Sequence, residues 1–193
     1  MTTQDFTPKE SFELISKVIN EAKTKFEENG AMYIMWGILV AVASFSQFIL
    51  LKNEYYNINY YPYFLLPPGI IVTWVYYYQK EKAKSNQVST MVGYAWGATG
   101  LNIMILGFLF FDYLQASLVP VILILLGIAY VYTGSAIKNK LVLFSGILIN
   151  ISGFVCFNLD LIYHSLLMSI VSVLFVLIPG IILKKKYNKR NLH

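Results

Sequence analysis

Charge is what this sequence has least of. Asp, Glu, Lys and Arg make up 13% of its 193 residues, against about 25% in an ordinary soluble domain. A soluble protein of this size needs polar surface to face water, and a chain that is 57% apolar cannot supply it. A lipid bilayer removes that need. Cysteine is almost missing as well: Cys156 stands alone, so no internal disulfide can form. Histidine occurs only at His164 and His193. That rules out a bis-histidine haem inside a bundle and leaves too few ligands for an ordinary metal site. Walker, GxGxxG, HExxH, CxxC and GxSxG patterns are all absent. Neither enzyme chemistry nor a cofactor is expected. The first apolar run follows thirty residues of charged sequence, so a signal peptide is not expected either. The net charge of +5 would suggest nucleic acid in a soluble protein, but the positions of the cations give it another meaning.

Six stretches carry no charge: Asn29–Leu51, Tyr55–Gln79, Ser85–Phe111, Tyr113–Ile137, Leu141–Leu159 and Leu161–Leu183. A helix needs roughly 20 apolar residues to cross about 30 Å of hydrocarbon, and all six reach or approach that length. Backbone groups cannot stay unpaired in lipid, so each run must be a helix or a strand of a closed barrel. Barrel strands alternate apolar and polar residues, and these runs do not. The expected fold is therefore all-α: a six-transmembrane-helix bundle over 31–183, preceded by an N-terminal element over 1–30 and followed by a basic cytoplasmic tail over 184–193. The second run is the weakest, because Pro67, Pro68 and Gly69 interrupt it. A re-entrant segment is the alternative there.

Basic residues orient the spans. With the N-terminus inside, the inner side holds Lys9, Lys17, Lys23 and Lys25, then Lys80, Lys82 and Lys84, then Lys138 and Lys140. The C-terminal cluster of Lys184, Lys185, Lys186, Lys189 and Arg190 completes it, and only Lys52 lies outside. If the second run did not cross, this split would collapse. Both termini are thus expected in the cytoplasm, with the inner membrane of a bacterium as the setting. Tyrosines cluster at the expected borders, Tyr55, Tyr56, Tyr60, Tyr61 and Tyr63 outside and Tyr76, Tyr77 and Tyr78 inside, where ring and hydroxyl are both satisfied.

The helices also read as three repeated hairpins. The first members carry Gly37, Gly97 and Gly146, each with a Phe eleven residues on (Phe48, Phe108, Phe157), and Trp36 and Trp96 precede two of the glycines. The second members carry Gly69, Gly127 and Gly180. Gly93, Gly97 and Gly100 on the third span, and Ser145, Gly146, Ser152 and Gly153 on the fifth, are expected to be internal packing seams.

Gln47, Asn102 and Asn150 are the costly polar side chains within the spans. They are read either as interhelical hydrogen-bonding groups or as a small polar site on the bundle axis. Glu54, Asp112 and Asp160 end the first helix of each proposed hairpin; they are loop solvation or a cation-binding outer rim. No acid or base lies deep in a span, which disfavours an ion-coupled transporter.

Thr7-Pro8-Lys9-Glu10 reads as a capped helix start. Beyond it Phe12, Ile15, Ile19 and Phe26 recur on one face, widened by Leu14 and Val18. This amphipathic helix is expected on the inner leaflet, or against a cytoplasmic protein or its own copy. The C-terminal cations anchor the last span in an anionic leaflet.

The layout resembles small multi-pass proteins of bacterial inner membranes that begin with an amphipathic helix. The stretch Leu118–Phe157, with Pro120, Gly127, Gly134, Gly146 and Gly153, is similar to the two-helix repeats of acid-resistance membrane proteins. The resemblance covers about a fifth of the chain and implies no site residues. The function expected is non-enzymatic, a regulatory or scaffold subunit working through its N-terminal helix. The alternative is a passive small-solute channel, which would require the three amides to converge on a cavity.

Overall fold

Every described element of the computed structural model is helical. The structure describes residues 7–28, 30–80, 87–190 and 192, with the side chains of 22–28, 79 and 80 excepted. The order is α1 (Pro8–Glu28), α2 (Gly30–Lys52), a 3-10 turn (Tyr61–Leu65), α3 (Leu66–Lys80) and α4 (Gln87–Leu109). It continues with the short α5 (Phe111–Leu114), α6 (Leu118–Ala136), α7 (Lys140–Cys156), α8 (Leu161–Ser172) and α9 (Ile178–Arg190). A single π turn over Val173–Leu177 joins α8 to α9. Four helical stretches are long and apolar enough to cross a membrane: Gly30–Lys52, Gln87–Leu109, Phe111–Ala136 and Leu161–Arg190.

Lipid tails are as apolar as leucine, so helices in a membrane associate through close packing rather than the hydrophobic effect. Two antiparallel pairs here are built for that. The large buried side chains fall seven apart: Leu123 and Tyr130 of α6 with Ile137 just past its end, and Val142, Ile149 and Cys156 of α7. Between them sit Gly127 and Gly134, and Gly146 and Gly153, again seven apart. A sustained period of seven gives a left-handed seam. A methyl built on Gly146 would lie 2.5 Å from the Val131 backbone nitrogen, and one on Gly127 would lie 2.7 Å from that of Asn150. Three residues reverse the chain between α6 and α7. Lys138 takes φ 51°, and Asn139 caps α7 by accepting from the Leu141 and Val142 amides at 3.1 and 3.4 Å.

The second pair is α2 with α8 and α9. Gly30, Gly37, Ser44 and Leu51 repeat at seven and are buried. Opposite them Ser165, Ser169 and Ser172 form a hydroxyl stripe. Ser169 donates to the Ala41 carbonyl at 3.0 Å and Ser172 to that of Gly37 at 3.1 Å. A methyl on Gly37 would meet the Leu177 backbone at 2.8 Å, and one on Gly30 the Lys184 amide at 2.8 Å.

The remaining helices are hung on these pairs by matched bonds. Trp36 Nε1 of α2 donates to Thr73 Oγ1 of α3 at 2.9 Å, and Trp96 Nε1 of α4 to Thr133 Oγ1 of α6 at 3.1 Å. Each threonine also donates to the carbonyl four residues back, Gly69 or Ala129. Tyr33, Trp96 and Tyr130 meet edge to face with centroids 5.2–6.1 Å apart, joining α2, α4 and α6.

Several expectations are corrected. The second run is not one helix from Tyr55: turns occupy its start, and α3 begins at Leu66 behind the 3-10 turn. Pro67 and Pro68 therefore fall in the first helical turn, where no backbone donor is missed. The basic residues 184–190 are helical, since α9 runs on through Arg190. Among the described residues Gly93, Gly97 and Gly100 form no internal seam, since nothing lies within 4 Å of a methyl on any of them. The glycine seams of α6 and α7 do pack as expected.

Gly146→Leu is expected to destabilise the protein by roughly 1–3 kcal/mol, because backbone fills the space its side chain needs. Gly97→Ala is expected to be neutral or stabilising by up to about 1 kcal/mol, through helix propensity alone. Unfolding of the two variants in mild detergent checks this; equal losses would refute the division of glycines.

Candidate functional site

The three membrane amides go to three different places. Gln47 lies toward the C-terminal end of α2 and is the centre of a network. Its Oε1 accepts from Tyr63 OH at 2.8 Å and from Ser165 Oγ at 2.7 Å, while its Nε2 donates to Asn59 Oδ1 at 3.2 Å. Tyr63 OH also lies 3.4 Å from Ser44 Oγ, and Asn59 Nδ2 returns to the Tyr56 carbonyl. With its own proton given to Gln47, the Tyr63 oxygen accepts from Ser44. Asn59, Ser44 and Ser165 are buried. The network therefore ties α2, the segment before α3, and α8 together, with its groups largely satisfied by one another. Asn150 donates across the seam to the Ile124 carbonyl at 3.2 Å. Asn102 is exposed and donates to Ala98, a carbonyl of its own helix, at 2.8 Å. A shared polar site at Gln47, Asn102 and Asn150 does not assemble.

Glu54, Asp112 and Asp160 are all exposed. Among the described residues no group of three His, Cys, Asp or Glu side chains could hold a metal ion. His164 is buried, with Nε2 3.0 Å from the Leu159 carbonyl and no partner for Nδ1. That contact places the proton on Nε2.

The N-terminal helix is positioned from both ends. Its capping box is formed: the Thr7 amide donates to Glu10 Oε2 at 2.9 Å, and the Glu10 amide to Thr7 Oγ1 at 3.3 Å. The backbone and side-chain hydrogen bonds from Thr7 hold the Glu10 carboxyl below its ordinary value. Beyond the cap, α1 lies against α4 and α9. Leu14, Ile15, Val18 and Ile19 face a cavity of about 490 Å³ whose other walls come from the first turns of α4 and the last of α6. Phe12 points away, 71% exposed. The Phe26 side chain lies outside the described residues. At the other edge Lys184 is half-buried and Lys185, Lys186, Lys189 and Arg190 are exposed, with the Lys184 ammonium 5.6 Å from the Tyr187 ring centroid.

No family model, curated protein or solved structure matches the chain. The reading therefore rests on the geometry alone. Sequence reasoning identified Gln47 but missed its partners Tyr63, Ser165, Asn59 and Ser44. Ser165, Ser169 and Ser172 at spacings of four and three on an apolar helix were the available signal; they mark a face that must bury hydroxyls.

Gln47→Leu removes the common partner of three polar groups. It is expected to lower stability by roughly 1–3 kcal/mol, whereas Asn102→Leu should stay within about 0.5 kcal/mol. Denaturation in detergent micelles decides; a Gln47 variant as stable as the unaltered chain would show that the network does not hold the three segments together.

Proposed function

We propose that the chain is a non-enzymatic membrane protein of six crossings, a regulatory or scaffold subunit that presents α1 at the cytoplasmic face of a bacterial inner membrane. The observation that carries it is α1 itself, seated on the bundle through one part of its apolar stripe while Phe12 is left outward. A helix that only solubilised the N-terminus would need no such seat.

Six crossings are supported by how the two shorter helices run. The chain from Asn59 to Thr73 follows α2 in reverse, through Gln47 with Asn59 and Tyr63 at one end and Trp36 with Thr73 at the other. Likewise α7 follows α6 from Gly134 with Leu143 to Gly153 with Ile124. If α2 and α6 cross, their partners cross with them. Fourteen of the fifteen cations then fall on the inner side. The twin Trp–Thr bonds, both at a separation of 37 residues, favour a twofold repeat with residue i equivalent to i+60. This differs from the glycine register, which pairs Gly69 with Gly127. The third hairpin has Ser145 where the others have tryptophan. Backbone superposition of the first two hairpins at any other offset would sink the repeat.

A channel finds less support. Gln47 is closed into its own network, Asn150 into a helix seam, and Asn102 points outward.

Two measurements test the proposal. In a Cys156→Ala background, Lys52→Cys is expected to react with a membrane-impermeant maleimide on intact cells, and Lys138→Cys only after lysis; the opposite pattern would reverse the orientation. Phe12→Asp is expected to leave insertion and melting unchanged while removing proteins that co-purify in mild detergent. An unaltered set of co-purifying proteins would count against the scaffold role.

A further inference from the structure

Gln47 and Asn150 bond across helix boundaries, and Asn102 does not. Its side chain is exposed, with Nδ2 donating to the Ala98 carbonyl of its own helix. Its second Nδ2 hydrogen and its Oδ1 have no partner among the described residues. Along α4 it stands fifteen residues from Gln87 and seven from Leu109, roughly 22 and 10 Å from the two ends at about 1.5 Å per residue. Where α4 crosses the membrane, that depth is hydrocarbon in either orientation of the chain. Acyl chains offer neither donor nor acceptor, and a bare amide among them is costly. A polar group on another helix at the same depth removes that cost.

The residues around Asn102 form a seam. Ala95, Ala98, Asn102, Ile105 and Leu109 follow one another at three and four residues. Ala95 is half-buried and the other four are exposed. Ala95, Asn102 and Leu109 stand seven apart, as the residues of both internal seams do. Such a stripe pairs two helices along a left-handed crossing. One asparagine within it fixes their register and number. The contacts of α4 with the bundle lie elsewhere: buried Val92 and Trp96, bonded to Thr133, are about 80° and 120° around the helix from Asn102. Gly93 and Gly100 are roughly opposite it.

The amide also says which helix fits. Two copies inserted in the same orientation bring identical positions to identical depths. A carboxamide holds donor and acceptor together, so it is its own complement. Across a twofold axis along the membrane normal, each Nδ2 gives its second hydrogen to the other Oδ1 while its first stays on Ala98. A face of this kind is self-complementary, as a twofold interface requires.

We infer that two copies of this chain pair through the face of α4 that bears Ala95, Ala98, Asn102, Ile105 and Leu109, with Asn102 bonded to Asn102 of the second copy. Because α1 lies against α4, the pair carries two α1 helices at the same end of the seam. The pairing needs only that α4 crosses; the scaffold reading above can fail without it.

The full-length Cys156→Ala protein, labelled at Lys138→Cys with donor or acceptor dye, is reconstituted in phosphatidylglycerol–phosphatidylcholine vesicles. Energy transfer is followed as protein is diluted into lipid. Transfer is expected to fall along a monomer–dimer curve, and Asn102→Leu to raise the protein density at half-association roughly tenfold. Melting in micelles at one chain per micelle reports the monomer fold separately. In the same background without dye, Ala98→Cys and Ile105→Cys are expected to form disulfide-linked dimers in the vesicles under mild oxidation, while Gly93→Cys and Gly100→Cys stay monomeric. Should Asn102→Leu misfold, the cysteine pattern still decides. Absence of transfer at every density, an unshifted Asn102→Leu curve, or dimers linked through the glycine face would each overturn the inference. A seam cysteine that links to a different protein in native membranes, and never to its own copy, overturns it as well.

Discussion

The bundle depends on small residues placed where two helix backbones must nearly touch. In hydrocarbon there is no gain from hiding one apolar side chain against another, because lipid hides it equally well. What remains is contact at short range, and dispersion falls off within an ångström of a gap. Glycine and serine permit that range. On α2 the series Gly30, Gly37, Ser44, and on α6 and α7 the series Gly127, Gly134, Gly146 and Gly153, bring neighbouring backbone or Cβ atoms within 3 Å of where a methyl would sit or bury a hydroxyl. Both series repeat at seven, so each seam stays on one side of its helix for its whole length. The serine stripe of α8 adds a second bond type to the same geometry, with hydroxyls reaching carbonyls that close approach has exposed.

This arrangement divides the molecule into two tight antiparallel pairs and two looser helices. Val92 is the buried residue of α4, and that helix is fixed to α6 by one indole hydrogen bond and the aromatic triad of Tyr33, Trp96 and Tyr130. The segment before α3 is fixed through Gln47 and its neighbours. A buried polar network in which each group answers another specifies one register for the segments it joins. Its value lies there, with Gln47 Oε1 already accepting from both Tyr63 and Ser165.

The sequence carried the membrane character and the helical class because both follow from where charges are missing. It carried the α6–α7 hairpin as well: the glycines that stood out in Leu118–Phe157 are those that touch across the seam. It misled over Gly93, Gly97 and Gly100, since glycine spacing says where two helices can approach and not whether they do. Polar partners were harder. Gln47 is conspicuous, but Tyr63 sits among border tyrosines that look alike, and Asn59 in a segment with no period to read. Their meeting is a consequence of a turn whose geometry, with Glu54 at φ 64°, local sequence does not dictate. The twin Trp–Thr bonds were half visible, the tryptophans having drawn attention and the threonines not.

The placement of α1 follows from the same division. It rests on α9, which belongs to a tight pair, and on α4, which does not. Against α4 and α6 it leaves the cavity lined by Leu14, Ile15 and Val18. Its two supports therefore differ in kind: α9 is held along α2 by backbone contact, and α4 to α6 by a few side chains.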